Sequence, residues 1–202
     1  FGGGLGADES NEIDGIQLSD ESAINPAAVL SAARQALAGV NSSIRGYFGG
    51  GSLDGSIPTF SAEIDGIQFS DESAINPAAV LPVARMRLGA VNSSLRGYFG
   101  GGGDVAFVGY SDEVDGIQFS DETAINPAAV LAVLRHWPAG VNSSIRGYFG
   151  GGDASGVYTN EIDGIQFSDE IAINPAAVLN VGRARLAGVN SSIRGYFGGG
   201  WI

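Results

Sequence analysis

Sixteen of the chain's 22 carboxylates fall into four sets with one internal spacing: Glu12, Asp14, Asp20, Glu21; Glu63, Asp65, Asp71, Glu72; Glu113, Asp115, Asp121, Glu122; and Glu161, Asp163, Asp169, Glu170. Hard oxygen donors at this density suit Ca²⁺, so one calcium ion per set is the functional reading. The spacing is not that of an EF-hand and holds no D-x-D-x-D run, so strand-end solvation and pairing with arginine is the structural reading. Two arginine sets keep step with the acids: Arg34, Arg85, Arg135, Arg183, and Arg45, Arg96, Arg146, Arg194. A ring of the first four could grip a carboxylate or an acidic sugar bidentately; the same planar forks also suit internal salt bridges. Asn-Ser-Ser recurs at Asn41, Asn92, Asn142 and Asn190. Each is an N-x-S glycan acceptor, and each is equally a tight hairpin turn.

Catalytic chemistry finds little footing. His136 is the single histidine and there is no cysteine, which excludes disulfides and thiolate metal sites. No nucleophile-elbow, Walker or dinucleotide motif stands in its required strand-to-helix setting, and the glycine runs recur once per repeat, as structural elements do. No enzyme is expected. The formal charge is −12, with ten arginines and no lysine. Such a surface repels phosphates and anionic membranes, so neither nucleic acid nor membrane insertion is expected. No apolar run reaches the ~18 residues of a membrane span. The acidity fits an extracellular or virion-surface setting. Phe1 opens the chain inside a repeat, so a piece of a longer protein is expected.

These residues must be positioned by a repeated unit. Glu-[Ile/Val]-Asp-Gly-Ile-Gln starts at Glu12, Glu63, Glu113 and Glu161, at successive offsets of 51, 50 and 48 residues. A period of this size means a supersecondary unit that packs against copies of itself. Residues 1–202 therefore read as a single repeat domain, with repeats near 1–47, 48–98, 99–148 and 149–196, and 197–202 starting a fifth copy. In the second repeat, 87–91 and the aromatic stretch after Asn92-Ser93-Ser94 form a hairpin ending in glycines. Residues 63–69 alternate apolar and polar, which predicts a half-buried strand. Residues 76–88 imitate a helix with Pro77 at its first position. Pro82, and Pro138 and Gly182 in other copies, oppose that reading, so extended structure is expected in all four.

The order of diglycine, variable loop, apolar strand and L-x-x-A-R resembles the kelch repeat. The matching residues are Gly49-Gly50, Gly100-Gly101, Gly150-Gly151 and Gly198-Gly199, then Arg34, Arg85, Arg135 and Arg183, with Leu81-Pro82-Val83-Ala84-Arg85 the nearest to the family's wording. The tyrosine and tryptophan that follow the family's diglycine are out of register; Phe69 and Ile75 lie nearest. G-Y-F-G-G-G is also similar to kelch-like repeats of phage and other virion appendage proteins. The resemblance implies an all-β, four-bladed kelch-like β-propeller, with Tyr47, Tyr98, Tyr148 and Tyr196 packing between blades. A ring would close by joining strands near Ile13 and Val29 to those near Val189 and Tyr196. Residues 1–4, the fifth F-G-G-G, would then be surplus and free to pair with a neighbouring chain.

Repeats this alike differ mainly at 5–11, 52–62, 104–112 and 152–160. Their aromatics Phe60, Phe107, Tyr110 and Tyr158 sit among glycine, serine and aspartate, a composition suited to stacking on sugars or protein surfaces. The expectation is a non-enzymatic structural or adhesion module that contacts partners through these loops. A lectin with one carbohydrate site per blade, and a self-assembling fibre subunit whose partner is another copy, are the alternatives. No cofactor is expected unless the acidic sets hold Ca²⁺.

Overall fold

The computed structural model describes residues 9–53, 59–103 and 109–202. Among them every regular element is a strand, and all pairing is antiparallel. Strands β1 (Gly15–Ile16) and β2 (Ala23–Ile24) form a two-stranded sheet. The first full sheet runs in the order β3 (Ala38–Asn41), β4 (Arg45–Gly49), β5 (Ile64–Gln68) and β6 (Ala74–Ile75). The second repeats it with β7 (Gly89–Asn92), β8 (Arg96–Gly100), β9 (Val114–Gln118) and β10 (Ala124–Ile125). In the third, β11 (Ala139–Asn142) and β12 (Arg146–Gly150) are followed by a side hairpin, β13 (Asp153–Ala154) and β14 (Val157–Tyr158). The sheet is then completed by β15 (Ile162–Gln166) and β16 (Ala172–Ile173). A last pair, β17 (Ala187–Asn190) and β18 (Gly195–Gly198), ends the array.

Each full sheet straddles two sequence repeats, taking its first two strands from one and its last two from the next. The array therefore holds three complete sheets, with the last half of a sheet at its start and the first half of one at its end. This architecture is compatible with a β-propeller. The expected joining of the two halves is not formed: β1–β2 and β17–β18 are separate two-stranded sheets.

Glycine sets how closely the sheets approach. Strands β3, β7, β11 and β17 follow one another side by side. A Cβ on Gly97 would stand 2.4 Å from Val40, and one on Gly147 2.4 Å from Val91, so each valine fills a notch in the next sheet. The Phe99 ring lies over Gly49 and Phe149 over Gly100 in the same way. Gly50 adopts φ +71°, and a side chain there would meet the Arg85 carbonyl at 2.5 Å. Tyrosine stacking adds a longer-reaching contact: Tyr47 lies parallel to Phe119 at 5.5 Å, and Tyr98 to Phe167 at 5.4 Å.

Residues 76–88 form no helix, as expected, but they are a bent run rather than a strand, with isolated bridges at Val80 and Met86 and φ +62° at Arg87. Leu81 donates its N–H to the Ala62 carbonyl at 2.8 Å, and Val80 bridges to Glu63. Ala79 and Leu81 thereby enter the core beside Tyr47, Ile64, Phe99 and Ile117. The strand at 63–69 differs from expectation, because β5 is buried on both faces. Its polar residue Asp65 is 2 % exposed and neutralised by a buried arginine, so the alternation in sequence does not mark a wet face.

Candidate functional site

Three arginines of the first set are sealed inside the sheets. Arg34, Arg85 and Arg135 are at most 1 % exposed and each meets the aspartate of its own sheet's third strand. Arg34 Nη2 lies 2.5 Å from Asp65, Arg85 pairs with Asp115, and Arg135 Nη1 lies 2.6 Å from Asp163. The last contact is close but off the hydrogen-bond direction, so it is an ion pair without an aligned N–H. Each guanidinium also donates to the carbonyl of Phe48, Phe99 or Phe149, which ties the segment before the first strand to the second and third. Burial pulls the pKa of Arg34 and Arg135 below the usual arginine value, and the paired aspartates oppose it. With their forks turned onto internal carboxylates, these three offer no open anion site; the geometry matches internal pairing. Arg183 is half-buried, donates to the Phe197 carbonyl at 3.1 Å, and reaches no carboxylate among the described residues.

The second arginine set works between sheets. Arg45 donates to Gln68 at 2.8 Å and meets Glu122 of the next sheet at 3.1 Å; the Tyr47 hydroxyl donates to the same carboxylate at 3.0 Å. Arg96, Tyr98 and Glu170 repeat the pattern one sheet on, and burial followed by Glu170 raises the Tyr98 phenol above its ordinary pKa. Asp20, Asp71 and Asp121 accept side-chain and backbone donors two residues ahead, which holds them below the usual carboxylate range. The second, third and fourth acids of a set thus take separate tasks where their partners are seen. Among the described residues, no three acidic or histidine side chains gather where they could hold a metal ion.

The two ends of the sheets differ in kind. At one end all four Asn-Ser-Ser turns border a single basin of about 460 Å³ lined only by asparagine and serine. Ser42 Oγ accepts from the N–H groups of Ile44 and Arg45, fixing the turn. Asn142 N–H donates to Asn190 Oδ1 at 3.1 Å, and Asn92 N–H reaches Asn142 Oδ1 at 3.5 Å, so the glycan-acceptor residues knit adjacent inner strands. Asn41 and its neighbours present uncharged amides and hydroxyls to the same basin.

At the other end lie the divergent segments. Ser52 bridges Phe60, Gly103 bridges Tyr110, and Asp153 pairs with Tyr158, so the three aromatics take equivalent places at the bases of hairpins between a sheet's second and third strands. All three are half-buried. Phe107, residues 54–58 and 104–108, and 1–8 with the F-G-G-G of 1–4, lie outside the described residues. Each hairpin base is pinned from the preceding segment, by Gln35, Met86 or His136.

Beside these bases sits a cluster that motif reading missed. Ala36, Arg87, Trp137 and Arg185 occupy one repeat position, all with φ near +60°. Arg87 N–H donates to the Ala36 carbonyl at 2.8 Å, Trp137 to Arg87 at 2.7 Å, and Arg185 to Trp137 at 3.3 Å. The Trp137 ring lies between the Arg87 and Arg185 guanidiniums, at 4.0 and 3.6 Å, and Arg185 also covers Trp201 at 3.7 Å. Burial, then the nearby Arg185 charge, brings Arg87 down to about 10. Buried His136 packs against Trp137 and Tyr110 with Asp153 at 3.4 Å; burial and then Arg87 lower its pKa. The available signal was a pair of positions, Gln35-Ala36, Met86-Arg87, His136-Trp137 and Ala184-Arg185, that changes in every copy directly after a constant arginine.

Set against known protein families and curated proteins, the chain matches none of them.

Proposed function

We propose that this chain is a non-enzymatic structural and adhesion module of the extracellular or virion-surface kind, built as a kelch-like β-propeller whose divergent hairpins contact the partner. The observation that supports this reading is the segregation of sequence change. Hairpins based at Ser52–Phe60, Gly103–Tyr110 and Asp153–Tyr158 all leave from the connection between a sheet's second and third strands. Divergence is thereby gathered at one end of a framework whose strands stay nearly constant, the usual division of labour between scaffold and recognition loops. The aromatics and the Arg87–Trp137–Arg185 stack give that end flat, stiff surfaces for sugars or protein.

The test is a printed glycan array together with a panel of cell-surface preparations, probed with the wild-type chain and with Tyr158→Ala. Binding that falls about tenfold or more in the variant supports the reading. Binding unchanged when Tyr158, Tyr110 and Phe60 are each replaced removes it.

The Asn-Ser-Ser basin favours a second reading, a lectin. Amides and hydroxyls without charge are suited to a neutral polyhydroxylated ligand, and four turns sharing one basin predict one bound sugar per chain rather than one per blade. Titration calorimetry with a hit from the array gives the stoichiometry directly.

A further inference from the structure

The two ends of the array carry opposite halves of an interface that recurs inside it. At the C-terminal end, Val189 is 65 % exposed and Tyr196 55 %, whereas Val40, Val91, Tyr47 and Tyr98 at the same repeat positions are at most 4 % exposed. The outer edge of β18 has no strand partner among the described residues, although β4, β8 and β12 each pair there with a third strand. At the N-terminal end, β1–β2 is the outer half of a sheet, anchored to the first full sheet through Ile13 and Leu30 against Ile67. Between them runs a largely apolar groove of about 780 Å³, whose walls include Ile16, Leu18, Gly46, Tyr47, Phe48 and Phe69.

We propose that this groove receives hairpin β17–β18 of a second copy of the chain, completing the sheet that β1–β2 begins. The internal boundaries supply the template. In the first sheet Tyr47 stands opposite Gly66 and Arg45 opposite Gln68, so Tyr196 would stand opposite Gly15 and Arg194 opposite Gln17. Val189 enters the notch at Gly46, as Val40 does at Gly97. Phe48 covers Gly198, which has nothing within 4 Å of a Cβ position, as Phe99 covers Gly49.

Charge agrees with shape. Arg194 meets Glu72 as Arg45 meets Glu122. The chain's own β17–β18 lies against β11 and is not paired with β1. The surfaces are complementary to each other and not to themselves, so the contact is head-to-tail and propagates into a ring or a filament. Pairing also removes two open sheet edges.

The chain has no cysteine, so the double variant Gln17→Cys/Arg194→Cys reports the contact after mild oxidation. Both positions are exposed at strand ends, and circular dichroism of the variant checks that the strands persist. The expected result on a non-reducing gel is covalent dimers and higher multiples. Light scattering of the unmodified chain should show mass rising with concentration, with Val189→Asp weakening association about tenfold or more. A cross-link confined to single chains would make the hairpin the chain's own and overturn the proposal. So would a folded double variant that forms no cross-link while the wild type keeps the mass of one chain.

Discussion

Removing the carboxylate from one buried pair, in Asp115→Ala, tests how the sheets are held together. Arg85 is 1 % exposed, and without Asp115 its guanidinium keeps only a long 3.4 Å bond to the Phe99 carbonyl, with Nε and Nη1 already lacking partners among the described residues. A buried cation stripped of its counter-ion costs about 3–5 kcal/mol. That is a large share of the ~5–15 kcal/mol typical of a domain. Replacing both partners by apolar residues, in Arg85→Met/Asp115→Leu, removes the uncompensated charge and should leave stability within about 1 kcal/mol of wild type or raise it. Arg183→Met is the internal control: a half-buried arginine with one carbonyl bond should cost only about 1 kcal/mol. Urea unfolding followed by tryptophan fluorescence and circular dichroism gives the three midpoints. Coincidence of the two probes must be checked, since repeat arrays can unfold in steps. For a slope of roughly 2–3 kcal/mol/M, the single variant should lose more than about 1 M in midpoint. A loss below about 1 kcal/mol for Asp115→Ala would refute the reasoning, because it would mean that the Arg85 charge finds water or another partner without cost.

Three further outcomes follow from local geometry. Gly140→Ala puts a Cβ 1.9 Å from the Ala90 carbonyl oxygen, a backbone atom that cannot step aside, and should cost about 2–3 kcal/mol; Gly39→Ala, at the same repeat position but exposed and with nothing nearer than 3.7 Å, should cost far less in the same urea assay. Ala36→Gly removes a Cβ from a φ of +57° and should raise thermal stability by about 0.5–1 kcal/mol. His136 has a folded pKa below 6.5, so the unfolded chain binds the proton more readily, and this residue's contribution is full above that pH and lost as pH falls through and below it. The stability difference between wild type and His136→Gln, from urea midpoints at pH about 7.5 and about 5.5, should therefore change in that window; a constant difference would mean that burial and the neighbouring Arg87 do not lower the pKa of the ring.

The class of fold was legible because periodicity is a statement about backbone. The diglycines admit positive φ, and the Asn-Ser-Ser turns and prolines restrict φ and ψ locally, so strands and turns follow without knowledge of partners. Pro82 pointed correctly away from a helix at 76–88, although the run is bent rather than extended. The pairing of Arg34 with Asp65 was open to two readings, since 31 residues separate them and only the sheet's register brings them together. The half-buried reading of 63–69 failed for the same reason, as a buried aspartate looks like a solvated one until its counter-ion is placed. The cation stack was hidden because Ala36, Arg87, Trp137 and Arg185 share a backbone conformation and no motif.

Constancy and change in the repeats follow the distance of each position from a neighbouring sheet. Val40, Gly97, Phe99 and Gly49 meet at separations where a methyl group more or less would collide or leave a void, so each recurs in the other copies. Ser52 and Phe60 are joined through backbone groups, which any residue can supply, and there Gly103 with Tyr110 and Asp153 with Tyr158 take their place. A mutation at the first kind of position is felt by two sheets at once, while one at the second changes only what that end shows to a partner. The same geometry that holds the strand faces constant therefore frees the hairpins to diverge, and it makes the exposed terminal faces copies of the internal ones. The head-to-tail contact proposed above rests on that likeness: Val189 and Gly46 retain the shapes of Val40 and Gly97.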